Sequence, residues 1–278
     1  MGTIQQALRM SAPYWAAEHE IALRYFGSSA RNAGSDKVWV GHQMFKEWTG
    51  SGVYGPRHTT VASMIAEVAE EVAPLGRGAV APSPLKSTYT KLSFASDELR
   101  HYAQLHDLFL LIESATPPPA IAELGKLKEG AALTELRLGY RDDKLGAIAV
   151  DLSEGGGLGL YFGIRSAKNL LDPSSEVDRE VLAVADRTIE DETRHLLGRF
   201  QAARDAGLDE EQWARISEIL EEISRQKLLE RNEQFGGMLT RQEVAIVCAG
   251  ENHARTAGFL TDHLGFLLDY LGMSPVDL

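Results

Sequence analysis

The chain reads as all-α: a four-helix bundle with a long crossover and additional N- and C-terminal helices. Ala, Leu, Glu and Arg dominate long segments without internal proline, and strand-like alternation is scarce. Two Glu-x-x-His motifs also fall inside helical stretches, at positions that pair off across turns. With 278 residues and no clear linker, a single domain over 1–278 is expected, its core at 59–206 and its flanks, 1–58 and 207–278, packed on that core.

In chain order, helices are expected at 13–26 and 36–48, then at 59–73 for the first bundle helix and 87–114 for the second. Thr116-Pro117-Pro118-Pro119 stops the second helix. A crossover with a short helix of its own then runs to about 141, as the connection between parallel neighbours in such a bundle must be long. The third helix is expected at 142–170 and the fourth at 174–206, closed by Gly207. Asp209-Glu210-Glu211-Gln212 reads as a capping box opening a fifth helix to about 234, and a sixth spans about 240–271.

Glu98-Leu99-Arg100-His101 and Glu192-Thr193-Arg194-His195 each place a carboxylate and an imidazole on one helix face. Two such motifs, with one glutamate from each of two further helices, make the ligand set of a carboxylate-bridged dimetal site. Glu67 and Glu154 are the expected partners. If antiparallel helices bring ligands to one depth, the turn between them lies near the midpoint in sequence. The midpoint of Glu67 and Glu98 falls in Pro82-Ser83-Pro84, and that of Glu154 and Glu192 on Pro173. Glu71 is the fallback for Glu67, lying nearly at its helix end before Pro74. Glu70 points off the apolar stripe Val61, Met64, Ile65, Val68, Val72. Phe94, Leu105 and Ile112 share the face of the second-helix motif, so its ionisable groups are expected to be buried, where a cation offsets the cost. Gly155-Gly156-Gly157 after Glu154 implies close helix approach, a distorted turn or room for a ligand.

The formal charge of −12 disfavours nucleic acid, whose phosphates need Lys and Arg. No apolar run is long enough for a bilayer and no signal peptide opens the chain, so no membrane partner and a cytoplasmic location are expected. Cys248 is the single cysteine, which excludes an intrachain disulfide or a cysteine-held iron–sulfur cluster. Any redox chemistry must therefore take electrons from an outside donor or from substrate. His106, His253 and His263 read as core or surface histidines, and Asp151, on part of the Glu154 face, is a candidate further ligand or an acceptor beside Glu154. Phe94 and Tyr161 read as core aromatics, either of which could also line a substrate cavity. Tyr161 and Arg199 are the candidate substrate contacts; the guanidinium of Arg199, like that of Arg165, needs either a nearby Asp or Glu or a substrate carboxylate.

Glu67, Glu98-x-x-His101, Glu154 and Glu192-x-x-His195, in that order over about 59–206, resemble the pattern of the ferritin-like di-iron carboxylate superfamily. The resemblance implies two iron ions, or manganese or a mixed pair, that react with dioxygen or peroxide. It departs from several branches. Leu105 stands where ribonucleotide reductase subunits carry a radical tyrosine, Thr188 where arylamine N-oxygenases carry an extra histidine, and Leu158 where soluble methane and toluene monooxygenases carry a threonine. The cysteine-rich domain of rubrerythrins is missing, and the chain exceeds storage ferritins in length. The expected function is an O2-activating non-haem di-iron oxygenase or oxidase on a small organic substrate, by hydroxylation, N-oxygenation or desaturation, in a homodimer. The alternatives are a ferroxidase, a peroxide-scavenging protein or a di-manganese catalase, and a non-catalytic acidic helical module.

Overall fold

The structure is a computed structural model that describes residues 3–50, 60–73, 82–140 and 142–274. Among these residues every regular element is helical. The helices are α1 (Ile4–Phe26), α2 (Ala33–Thr49), α3 (Thr60–Val72), α4 (Pro82–Ile112), α5 (Ile121–Leu124), α6 (Lys128–Tyr140) and α7 (Lys144–Leu152). They continue with α8 (Gly155–Ser166), a 3-10 turn (Ala167–Asn169), α9 (Glu176–Asp205), α10 (Glu210–Gln234), α11 (Arg241–Cys248), α12 (His253–His263) and α13 (Gly265–Leu271). No helix among the described residues is long and apolar enough to cross a membrane.

The expected elements are present with four changes of boundary. α1 runs through Pro13 instead of starting there, since Ala7, Leu8, Ala12, Trp15 and Ala16 bury one continuous face across the proline. α4 starts at Pro82, because prolines in a first turn give up N–H groups that have no helical partner anyway. The third bundle helix is broken at Ser153-Glu154 into α7 and α8. The expected sixth is broken at Gly250, whose φ of 71° lies in the left-handed region, and again at Leu264, leaving α11, α12 and α13. The capping box at Asp209 and Gln212 forms as read.

Where a single domain is expected, the chain divides into two compact units, 36–126 and 1–35 with 127–278. The expected core at 59–206 is shared between them, α3 and α4 in one and α7 to α9 in the other.

In the unit 36–126, α4 is the spine and two helices run antiparallel to it. Lys37 pairs with Glu113 at one end of α2, and the Trp48 and Tyr102 rings meet 4.6 Å apart at the other. Gly41 lies between, against Phe109 and Leu124. α3 is registered on α4 by Glu71, which accepts from Thr88 and Lys91, and by Glu67, 3.0 Å from Lys91.

In the other unit α1 is the centre, packed chiefly on α8 and α10. It runs parallel to α8, and the contact is made on glycine. A Cβ added at Gly159 would lie 2.5 Å from the Trp15 carbonyl oxygen, and one at Gly163 would lie 2.5 Å from that of His19. Within the glycine run itself a Cβ at Gly155 would lie 2.5 Å from the Trp15 ring and one at Gly156 would collide with Glu18 Oε1, so close helix approach is observed together with the helix break directly before the run. α9 returns antiparallel to α8, with Arg165 4.0 Å from Asp186. On its other side α1 meets α10 through Arg231, which donates to Glu18 at 3.0 Å with both side chains fully buried, and through Tyr25 and Phe26 against Phe235. α12 adds His263, stacked on Phe162 and 4.9 Å from the His19 ring, so His263 is a packing histidine.

Candidate metal centre

The two Glu-x-x-His segments prove to be longer copies of one another. Asp97-Glu98-Leu99-Arg100-His101 on α4 and Asp191-Glu192-Thr193-Arg194-His195 on α9 adopt the same local arrangement. In each, the aspartate is buried and accepts from the arginine three residues on, at 2.7 Å in the first and 3.1 Å in the second. The imidazole is buried to 1 % exposure or less, and the glutamate one turn before it is half-buried. The helix repeat explains the division: Asp and Arg share one edge of the face while Glu and His share the other. The aspartates are legible only by extending the repeat one residue towards the N-terminus.

Within each unit the buried imidazole has a carboxylate beside its Nδ1. His195 Nδ1 lies 3.6 Å from Glu192 Oε1. His101 Nδ1 lies 3.5 Å from Oε2 of Glu47, a residue of α2, one of the helices expected only to flank the core. These separations exceed the usual N–H···O range of about 2.7–3.2 Å. They match the distance between two donors on one ion, because ligands bound at about 2.0–2.2 Å stand about 3.0–3.5 Å apart. Glu192 and His195 thus fit a first-row metal in spacing and in donor chemistry, oxygen plus imidazole nitrogen.

Glu67 is not brought to the Glu98 motif. It is exposed and level with Lys91, two turns before Glu98. The midpoint rule fails because its midpoint lies inside α4 itself. Glu98 is about four turns into that helix, while Glu67 is less than about two turns from the end of α3. The fallback, Glu71, is bound to Thr88 and Lys91, and Lys91 holds its carboxyl below the ordinary range.

Glu154 is also placed elsewhere. Its Oε1 is 3.0 Å from Arg137 Nη2 and 3.3 Å from Arg199 Nη1, and it does not join Glu192 and His195 at ligand spacing. Burial pushes this carboxyl up, but Arg199, Arg137 and Lys227 together outweigh that and hold it far below the usual range. The fully buried Arg137 also donates to Ser153 Oγ, and Lys227 donates to the Ser153 carbonyl at 2.7 Å, so the cations gather at the break between α7 and α8. Arg199 is level with Glu154, two turns beyond Glu192. The three-residue 3-10 turn at Ala167–Asn169 adds only about 1.5 Å of rise over an α-helix, a small part of that offset.

Arg199 therefore has its acids within the chain, Glu154 and Asp151, the latter 3.7 Å away and also giving its carbonyl at 3.2 Å. Tyr161 is buried in α8 as a core aromatic. Arg199→Leu is expected to lower unfolding free energy by about 1.5–3 kcal/mol, the range for hydrogen bonds to charged groups, with metal content unchanged. Because Glu154 is depressed in the folded state, its contribution is present above the ordinary carboxylate pKa and lost as pH falls below it. Urea titrations at neutral and acid pH should accordingly show a smaller acid loss for Arg199→Leu than for the parent. A variant with full stability and depleted metal would contradict this placement.

A scan against protein-family models finds no match to the chain, and neither a curated protein nor a solved structure matches it.

Proposed function

We propose that the chain is a dimetal oxidoreductase that uses dioxygen on a small organic molecule, resembling the ferritin-like di-iron carboxylate proteins in its chemistry. The observation that carries this reading is the duplicated Asp-Glu-x-Arg-His segment, with each imidazole buried beside a carboxylate at ligand spacing. Glu98 and His101 would hold one ion and Glu192 and His195 the other, as iron or manganese. When bound, the metals supply redox equivalents and Lewis acidity for oxygen activation.

The remaining work belongs to the chain. Asp97 and Asp191 tie their arginines to the helix surface, which keeps both guanidiniums off the glutamate one turn from each histidine. The buried imidazoles would supply the nitrogen donors, their rings shielded from water. Carboxylates suit oxidised iron because they are hard, anionic oxygen donors, and two imidazoles across two ions leave positions for oxygen and substrate. With Cys248 the single cysteine, the chain offers no cysteine-held relay, and electrons would come from a separate donor or from the substrate itself.

The test is elemental analysis of aerobically purified protein together with its optical spectrum, followed by oxygen uptake after reduction. About two iron or manganese ions per chain and donor-dependent uptake are expected. Protein that binds no first-row metal even after anaerobic reconstitution would end this reading.

A further inference from the structure

We infer that Glu47 of α2 is a metal ligand, the carboxylate that takes the place expected for Glu67; this rests on the dimetal reading above. α2 is set antiparallel on α4 by Lys37 with Glu113, by Gly41 against Phe109, and by Trp48 against Tyr102. That register puts Glu47 level with His101. Glu47 shares a helix face with Val40, Gln43 and Met44, all buried, and its own side chain is only 12 % exposed. A carboxylate among buried side chains is costly without a cation. Its Oε2 faces His101 Nδ1 at 3.5 Å, nearly the separation that Glu192 and His195 show within their own motif. An aspartate or glutamate that merely oriented the ring would draw in to hydrogen-bond distance of the N–H.

The assignment fixes which ring nitrogen of His101 binds. If Glu47 is a ligand, Nδ1 is the metal-bound nitrogen and Glu47 shares its ion. If Glu47 only positions the ring, Nδ1–H points at Glu47 and Nε2 takes the metal. Long-range ¹H–¹⁵N correlation spectra of the wild-type, zinc-loaded full chain separate the two: a metal-bound Nδ1 is expected, whereas a protonated Nδ1 with Nε2 bound overturns the inference. No folding of a variant is needed for this test.

Cobalt(II) titration, read by visible absorption and by elemental analysis, supplies the second test. Glu47→Gln, nearly isosteric, is expected to bind about one ion per chain where the parent binds about two, while Glu67→Gln binds as the parent does. Glu47→Asp should recover part of the loss, since it keeps the charge. Two ions in Glu47→Gln with the parent's spectrum would overturn the role of Glu47 and leave the dimetal reading standing. A parent chain that takes up no cobalt would instead remove the dimetal reading, and this inference with it.

Discussion

His101→Ala and His195→Ala are each expected to reduce bound metal from about two ions per chain to about one, and the double variant to abolish binding. Removing an outer partner of a metal-bound histidine already costs about 10–100-fold in affinity, and losing the ligand itself should cost at least the upper figure. Both rings are buried, so truncation also removes packing, and a loss of metal could be mistaken for a loss of fold. His106→Ala is the matched control. His106 is half-buried on the same helix, and its Nδ1 is 3.7 Å from Asp107, on the side away from His101. It should keep two ions and the parent's melting temperature. If His101→Ala and His195→Ala melt like the parent and still carry two ions each, the duplicated segment is a structural repeat and the metal reading fails.

The second large effect concerns α8. Gly159→Ala and Gly163→Ala are expected to destabilise the fold by about 3 kcal/mol or more, at or beyond the upper end for overpacking. In both cases the new methyl meets a main-chain carbonyl of α1, at Trp15 or His19, which cannot rotate away as a side chain could. Gly157 lies on the same helix, and a methyl group there would meet nothing within 4 Å. Gly157→Ala should therefore stabilise by about 0.5–1 kcal/mol through helix propensity alone. Denaturant titrations of the three variants check the opposite signs. Equal effects at 157 and 159 would mean that α1 does not approach α8 as closely as described.

These particulars show which parts of the molecule can be read from residue order. Helix periodicity, the capping box at Asp209 and the stops at Gly207 and the proline run all act within a few residues, and they are legible. The burial of His101 is legible too, because Phe94, Leu105 and Ile112 share its helix face. Glu67 and Glu154 are misplaced by depth matching because it sums every rise along two helices and a connection. The start of α4 at Pro82 moves the first match by more than a turn, whereas the three-residue 3-10 turn before α9 adds only about 1.5 Å of rise and supplies a small part of the second offset. Glu47 escapes the rule for a different reason. Its partner lies on α4 with α3 between them in sequence, so no single turn relates the two. The signal it does give is local: a glutamate on the Val40, Gln43, Met44 stripe of α2 has no reason to be there unless something cationic meets it.

The central helix of the larger unit belongs to the start of the sequence, while its main partners, α8 and α10, come more than a hundred residues later. During synthesis α1 is complete long before Gly159 or Arg231 exists, so Trp15, Ile21 and the acid of Glu18 wait without the surfaces that later bury them. The unit 36–126 is made in that interval from neighbouring helices and can form on local contacts. α1 is thus enclosed only after α8 and α10 have been made, and a chain stalled between the two events would present an apolar, aggregation-prone α1 to the cell's chaperones.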